Sequence, residues 1–379
     1  MGLSNCRILV TGANGFIGKN LVVRLNELSD VDVTTFVRGD DPAVLPQLLS
    51  QVDAVVHLAG ENRPLDEAAF AQVNAGLTSS LCNAIEKEFR SIGRHVPLVL
   101  ASSSQAELDN PYGRSKLAAE RVVQTLAKEI GNPCVVFRLP GVFGKWCKPN
   151  YNSVVATFCH NISRDLPIQI NDPVATLRLV YVDDVVTALL AALETPMSGY
   201  SQTQVEPEYK TTLVELAEQI RVFGDCRSSL MMERVGNGFV RALYSTYVSY
   251  LPNEKFSYKL TQRADSRGMF VEMLKTSDSG QFSYFTAYPG ITRGGHYHHT
   301  KTEKFLVIKG DALFRFRHIL TNELVELRTN GGTPQVVDTI PGWTHDITNV
   351  GDDEMVVMLW ANENFDREKP DTVNSKILK

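Results

Sequence analysis

Three histidines stand within four positions of PGITRGGHYHHTKTEKFLVIKG, residues 289–310, ahead of a glutamate, an apolar run and a glycine. As spacing the stretch reads Gly290-x5-His296-x-His298-x4-Glu303-x6-Gly310. Side chains alternate along a strand, so His296 and His298 leave the same face and His299 the other. Glu303 falls on the next strand, and His345 in TIPGWTHDITN offers a further imidazole. Neutral imidazoles with one carboxylate make a borderline donor set that suits Zn2+, Ni2+ or Fe2+. An open coordination position would let the ion polarise a carbonyl.

A second constellation lies at the other end of the chain. In TGANGFIG a short apolar strand, 7–11, runs into Gly12, Asn14, Gly15, Phe16, Ile17 and Gly18, and a helix with period near four follows through Leu21, Leu25 and Leu28. Glycines at a strand–helix turn let backbone approach a pyrophosphate, and the helix N-terminus supplies unpaired N–H groups and partial positive charge. Arg38 stands some twenty residues beyond the last glycine, where an acid would hold the ribose of NAD. A guanidinium suits a 2′-phosphate instead, so NADPH is favoured, while Asp40 nearby keeps NAD open.

Serines 102–104 close another strand, and Pro-Tyr112-Gly-Arg-Ser-Lys116 follows. Tyr112 and Lys116 are four apart, on one face of a helix. A phenol with its ordinary pKa near 10 is a poor acid or base until a cation favours the phenolate. Lys116 is that cation, and Ser104 or Ser103 could hold a carbonyl oxygen while hydride arrives at carbon. Further on, GKWCKPNYNSVVATFCHNI (144–162) presents Lys145, Lys148, Asn150 and Asn152 on a loop suited to a diphosphate and a uracil edge, with Arg178 as a second phosphate candidate.

The elements around these residues divide the chain of 379. Apolar runs of strand length at 7–11, 31–38, 52–60, 96–104 and 133–140 alternate with helical patterns around 66–90 and 113–130, the signature of a doubly wound parallel sheet. ALYSTYVSYLP (242–252) reads as a linker or hinge helix. Beyond it come short alternating strands with glycine turns, as in an all-β sandwich or barrel. The expected division is 1–245 and 246–379. A net charge of −5 gives no reason to expect nucleic acid, and no run reaches the roughly 18–20 apolar residues that span a bilayer. Six cysteines without C-x-x-C pairing are expected as reduced thiols of a cytoplasmic protein.

TGANGFIG, HLAG, SSS, PYGRSK and VYVDDV resemble the extended short-chain dehydrogenase/reductase family of nucleotide-sugar enzymes over roughly 5–240. The resemblance implies Tyr112 as general acid–base, Lys116 as its partner and ribose contact, and Leu58, Ala59 and Gly60 of HLAG beside the cofactor. Only seven residues separate Ser104 from Tyr112, fewer than is usual there. The histidine stretch resembles the first cupin motif, and Gly342-x-x-His345-x-x-x-Asn349 the second, with Pro341 displaced against Gly342.

Over its whole length the chain resembles the bifunctional capsule and O-antigen enzymes that join such a reductase to a cupin. The resemblance implies a UDP-linked 4-keto-6-deoxysugar, C3 epimerisation in a Zn2+ cupin, then NADPH-dependent C4 reduction, in a homodimer or higher homo-oligomer. The chemistry is consistent: a 4-keto group acidifies the C3 proton, and reducing it traps the new configuration. Two alternatives differ. A single-activity NAD-dependent epimerase or dehydratase with a structural cupin would show no net NADPH consumption. A non-catalytic cupin sensor would keep its properties without Tyr112.

Overall fold

The computed structural model describes residues 3, 5–62, 70–368 and 370–377; Arg63, Pro64 and the expected helix start near 66 lie outside them. The chain packs as two compact units, Met1–Ile220 with Ala242–Leu251, and Arg221–Arg241 with Pro252–Lys379.

The first unit carries β1 (Cys6–Thr11), β2 (Val31–Phe36), β3 (Ala54–His57), β4 (Leu98–Ser103), β5 (Cys134–Leu139), β6 (Gly141–Phe143), β7 (Thr176–Tyr181), β8 (Tyr200–Thr203) and β9 (Tyr209–Thr212). Its main sheet runs β2-β1-β3-β4-β5-β8 with every neighbour parallel. The apolar runs of these strands are near-continuous because both faces are covered. Leu9, Val55, Leu98, Leu100 and Val136 meet one helical layer, through Leu81 and Ile85 of helix Leu77–Ile92 and Val123 and Leu126 of helix Pro111–Ile130. Ile8, Val10, Val56, Val99 and Phe137 meet the other, through Leu21, Leu25, Val185 and Leu189. Each fully buried aliphatic side chain contributes about 1.5–3 kcal/mol.

From β1 the chain moves first to β2 on one side and then to β3 on the other. That reversal opens a crevice at the carboxyl ends of β1 and β3, where ligands of such sheets bind. The aromatic segment 242–252 belongs to helix Gly238–Ser249 and the turn after it, with Ala242, Leu243, Thr246 and Tyr247 buried. Ala242–Leu251 pack with the first unit and the change of unit falls within this helix, after Arg241, so the connecting helix expected from the sequence is a buried one.

The second unit is built from β10 (Met231–Met232), β11 (Gln262–Asp265), β12 (Gly268–Thr276), β13 (Gln281–Ala287), β14 (Thr292–Tyr297) and β15 (Glu303–Lys309). It continues with β16 (Asp311–His318), β17 (Leu324–Asn330), β18 (Val336–Asp338), β19 (Trp343–Asn349), β20 (Met355–Ala361) and β21 (Val373–Asn374). One sheet runs β10-β12-β13-β20-β15-β18 with β11 on β12, the other β17-β16-β19-β14-β21. Apart from β10 on β12 the pairings are antiparallel. Phe285, Phe305 and Val357 from one sheet pack on Phe314, Phe316 and Ile347 from the other, closing a cupin-like core. Among the described residues no helix is long and apolar enough to cross a membrane.

Inside the first unit His57 is wholly buried at the end of β3. Thr78 Oγ1 donates to the Asn74 carbonyl at 2.6 Å, so His57 Nε2 must donate to Thr78 at 2.9 Å and Nδ1 accepts from Thr11 Oγ1 at 2.6 Å. Burial first, and the charge of Lys116 second, pull its pKa from 6.5 to about 3. The unfolded chain protonates this ring near 6.5 and the folded chain does not, so stability is present above that pH and falls towards pH 3. The expected loss between pH 7 and pH 4 is about 3 kcal/mol. A His57→Gln chain, less stable at pH 7, should lose less between those two pH values in urea titrations of this unit. Parallel losses in both chains would reject the assignment.

Candidate active sites

At the crevice, Gly12 turns with φ +71°, and a Cβ there would lie 2.6 Å from the Ala59 nitrogen. At Gly18 it would lie 2.2 Å from the Gly12 carbonyl. Only glycine lets the β1 turn, the β3 end and the first helix come this close. A cleft of about 730 Å³ results, lined by Gly12, Asn14, Gly15, Arg38, Asp40, Leu58, Ala59 and Gly60, and by Phe36, Gln72 and Ser80 from outside the expected set. Phe16, Ile17 and Gly18 form the first helical turn behind it and are not among the lining residues. Arg38 is largely exposed and its guanidinium pairs with Glu61, one residue past HLAG.

Tyr112 and Lys116 lie on the first turns of helix Pro111–Ile130, started by Pro111 and by Asn110, whose side chain accepts from the Gly113 N–H at 2.7 Å. The three serines at the end of β4 have separate settings. Ser102 is buried against Glu120, Ser103 accepts from the Gln105 N–H at 3.2 Å and lies beside the Tyr112 phenol, and Ser104 opens a short 3-10 turn. Ser103 is therefore the serine that meets the tyrosine. Burial raises the Tyr112 phenol above its ordinary value, and the Ser103 hydroxyl draws it part of the way back. Lys116 is buried, donates to the Ala101 carbonyl at 2.8 Å, and is pulled down to about 8 by burial, against the opposing pull of Glu120. Glu120 in turn accepts from Nε and Nη2 of Arg138, the closest contact 2.7 Å, while Nη1 of Arg138 goes to Glu107.

Two groups here carry no mark in the sequence. Asn74 is buried, accepts from the Glu61 N–H at 2.7 Å and donates to Ser115 Oγ at 2.9 Å, tying the HLAG turn to the tyrosine helix. Arg138 and Glu120 stand on successive elements, β5 and the tyrosine helix, and meet where these pack together.

The expected substrate residues are already engaged. Lys145 pairs with Asp183 at 2.6 Å, and Arg178 makes a two-point pair with Glu208, 2.7 Å at each contact. A diphosphate would compete with both carboxylates. Asn152 is exposed on the same loop as Lys145, near the left-handed residues Trp146 and Asn150.

In the second unit His296, His298, Glu303 and His345 converge, each offering a ligand atom within 4.8 Å of the others. Glu303 comes from the β15 sheet and the histidines from the opposite one. Strand alternation alone does not aim His296: β14 shifts register between Gly294 and His296, with Gly294 at φ +95° and Gly295 at φ +78°. The glycine pair inside a strand was the available signal of this bulge. Gly342, left-handed at φ +77°, donates its N–H to the His298 carbonyl at 2.9 Å, and this holds the turn that the displaced Pro341 enters.

The donor chemistry fits an ion. Nδ1 of His298 faces the Asp371 carbonyl and must carry the proton, so in the neutral ring Nε2 turns only a lone pair towards Glu303 Oε2, 3.2 Å away. Two acceptors at that distance call for a cation. Nε2 of His345 is buried without a hydrogen bond; Glu303 Oε2 lies 3.4 Å from it, but out of alignment. Burial would raise the Glu303 carboxyl, and the nearby Lys301 ammonium opposes that rise. Lys301 is buried with its ammonium 2.9 Å from Glu303 Oε1. Burial, then His345, pulls His296 down to about 4, leaving its ring neutral at pH 7. His299 is exposed and packs on Tyr297, off the cluster, while Lys304 pairs with Asp338.

Comparison with known proteins follows the same division. Residues 8–206 match the NAD dependent epimerase/dehydratase family, and residues 263–373 match the polysaccharide biosynthesis C-terminal domain. UDP-2-acetamido-2,6-beta-L-arabino-hexul-4-ose reductase of Pseudomonas aeruginosa is 57% identical over 366 residues, 97% of each chain. The crystal structure of capsular polysaccharide assembling protein CapF from Staphylococcus aureus superposes with a TM-score of 0.89 at 42% identity, covering 97% of this chain and 99% of that one. WbmF of Bordetella bronchiseptica, in complex with NADH, is similar in fold over 59% of this chain and 78% of its own, with a TM-score of 0.51 at 23% identity. The chain belongs to the NAD dependent epimerase/dehydratase family and, within it, to the two-part type represented by CapF.

Proposed function

We propose that this chain is a bifunctional nucleotide-sugar enzyme of capsule or O-antigen synthesis. Its β half, 246–379, epimerises C3 of a UDP-linked 2-acetamido-4-keto-2,6-dideoxyhexose. Its α/β half, 1–245, then reduces C4 with NADPH to UDP-2-acetamido-2,6-dideoxy-β-L-talose, a precursor of UDP-N-acetyl-L-fucosamine. It acts in the cytoplasm as a homodimer or higher homo-oligomer. The observation that carries this reading is the presence in one chain of a Ser103–Tyr112–Lys116 group and a His296–His298–Glu303–His345 cluster. The Pseudomonas aeruginosa relative, a reductase of a UDP-linked hexul-4-ose, supports the ketone substrate.

For reduction, the nicotinamide supplies hydride to C4 when bound along the cleft. Tyr112 gives its phenolic proton to the sugar O4, so the ketone becomes an alcohol and the tyrosine a phenolate. The Lys116 ammonium favours that phenolate, and the Ser103 hydroxyl holds the carbonyl oxygen in line. Arg38 is the 2′-phosphate contact, released from Glu61 as the cofactor enters.

For epimerisation, a Zn2+ ion held by His296, His298, Glu303 and His345 would act as a Lewis acid on the C4 carbonyl oxygen. Lys301 offsets the Glu303 charge, and the neutral His296 ring is ready to ligate without first losing a proton.

Incubation with the UDP-linked ketosugar and NADPH in heavy water should consume NADPH and place deuterium at C3 of the product. Product without that label would sink the epimerase half, and unchanged NADPH the reductase half. Tyr112→Phe should slow reduction by about 10²–10⁴-fold while solvent exchange at C3 continues. His298→Ala should lose zinc and exchange, yet still reduce an epimerised ketosugar; loss of both activities in both variants would show that the halves do not work separately. Arg38→Ala should lower the NADPH-over-NADH ratio of kcat/KM by about 10–100-fold, and an unchanged ratio would exclude Arg38 as the phosphate contact.

A further inference from the structure

His298 is aimed by a segment more than seventy residues away in sequence. The Asp371 carboxylate accepts the N–H groups of His299 at 2.9 Å, Thr300 at 2.7 Å and Lys301 at 2.8 Å, and the Thr300 hydroxyl at 3.0 Å. Oδ2 alone takes the contacts of Thr300 and Lys301. The backbone carbonyl of the same residue accepts from His298 Nδ1. Immediately after it, β21 adds to the edge of β14, with Val373 opposite Tyr297 and Asn374 opposite His296. Ser375 then donates its N–H to the Gly295 carbonyl at 2.9 Å, and Arg317 and Thr344 hold the Ser375 hydroxyl at 3.0 Å and 2.9 Å. One stretch thus fastens one edge of β14 from Gly295 onward and the turn that follows it through Lys301.

A ring nitrogen that donates to a carbonyl fixes the tautomer, leaving the other nitrogen free to ligate. A backbone carbonyl can do this only while its own residue stays in register with the ring. The carboxylate of Asp371 supplies that register, because it grips the three residues that follow His298. We propose that Asp371 is a positioning residue for the metal: it locks the 299–301 loop so that its carbonyl keeps His298 in the tautomer and orientation that bind an ion. This rests on the reading of the cluster as a metal site. It assigns metal retention to the segment from 371 onward as well as to the four ligands.

Shape and charge are separable here. Asp371→Asn keeps a carbonyl oxygen where Oδ2 stands, whereas Asp371→Glu keeps the charge and displaces it, and Asp371→Ala removes both. The experiment is Zn2+ affinity of the full chain, measured by competition with a chromophoric chelator, alongside the visible spectrum of the Co2+-loaded chain. Loss of an outer contact of this kind weakens metal binding about 10–100-fold. The expected result is that order of loss in Asp371→Ala, about tenfold loss and displaced Co2+ bands in Asp371→Glu, and affinity within about threefold of the parent in Asp371→Asn.

Asp371→Glu binding as tightly as the parent, or Asp371→Asn losing as much as Asp371→Ala, overturns the proposal. Should Asp371→Ala fail to fold, the Asn and Glu pair decides it. A parent chain that takes up no zinc overturns the metal reading itself, whereas a parent that binds one equivalent alongside indifferent variants overturns only the role of Asp371.

Discussion

A charge taken out of water must be met by another charge or by fixed dipoles, and both sites of this protein are arranged around one such charge. In the α/β unit it is the Lys116 ammonium, held by the Ala101 carbonyl and facing Glu120, whose own carboxylate is held by Ser102 and Arg138. In the β unit it is the Glu303 carboxylate, met by the Lys301 ammonium and facing the imidazoles across the cluster. Each charge is placed by its partners, and the partners come from several elements. A Tyr-x-x-x-Lys pair on an isolated helix would be a solvated pair; here the sheet beneath sets its electrostatics.

The second constraint is backbone proximity. Gly12 and Gly18 let a strand, a helix and the HLAG turn close on one another around the cleft. Gly294 and Gly295 break the period of β14 so that His296 enters the barrel at the height of His345. In both places a side chain is missing because backbone, and not another side chain, is the neighbour. The two units share an arrangement: glycine at a close backbone approach and a buried charge beside it.

Much of this was legible in one dimension. Alternating apolar runs gave the parallel sheet, because a strand covered on both faces needs apolar residues at successive positions. The turn chemistry of TGANGFIG located the crevice, and the Tyr112 and Lys116 spacing follows from the pitch of a helix. The histidine cluster was readable because three of its four members fall within residues 296–303 of the sequence. That the connecting segment 242–252 is packed was not legible, because burial of Leu243 and Tyr247 is a property of the neighbours that cover them. The choice between Ser103 and Ser104 was equally beyond the sequence, since it depends on where β4 ends and a 3-10 turn begins.

What the sequence by itself determined is which groups are present and their local spacing: a nucleotide turn, a tyrosine–lysine helix, and three imidazoles with one carboxylate. These follow from short-range geometry, with its fixed periods of two and 3.6 residues. Tertiary structure alone decided the partners: Glu61 on Arg38, Glu208 on Arg178, Asn74 between two turns, and Asp371 beneath His298. Those pairings join residues 13 to 73 positions apart, and no local period encodes which distant strands will lie side by side. The chemistry is written in the motifs, and the aim and electrostatic setting of each group come from the packing that closes around them.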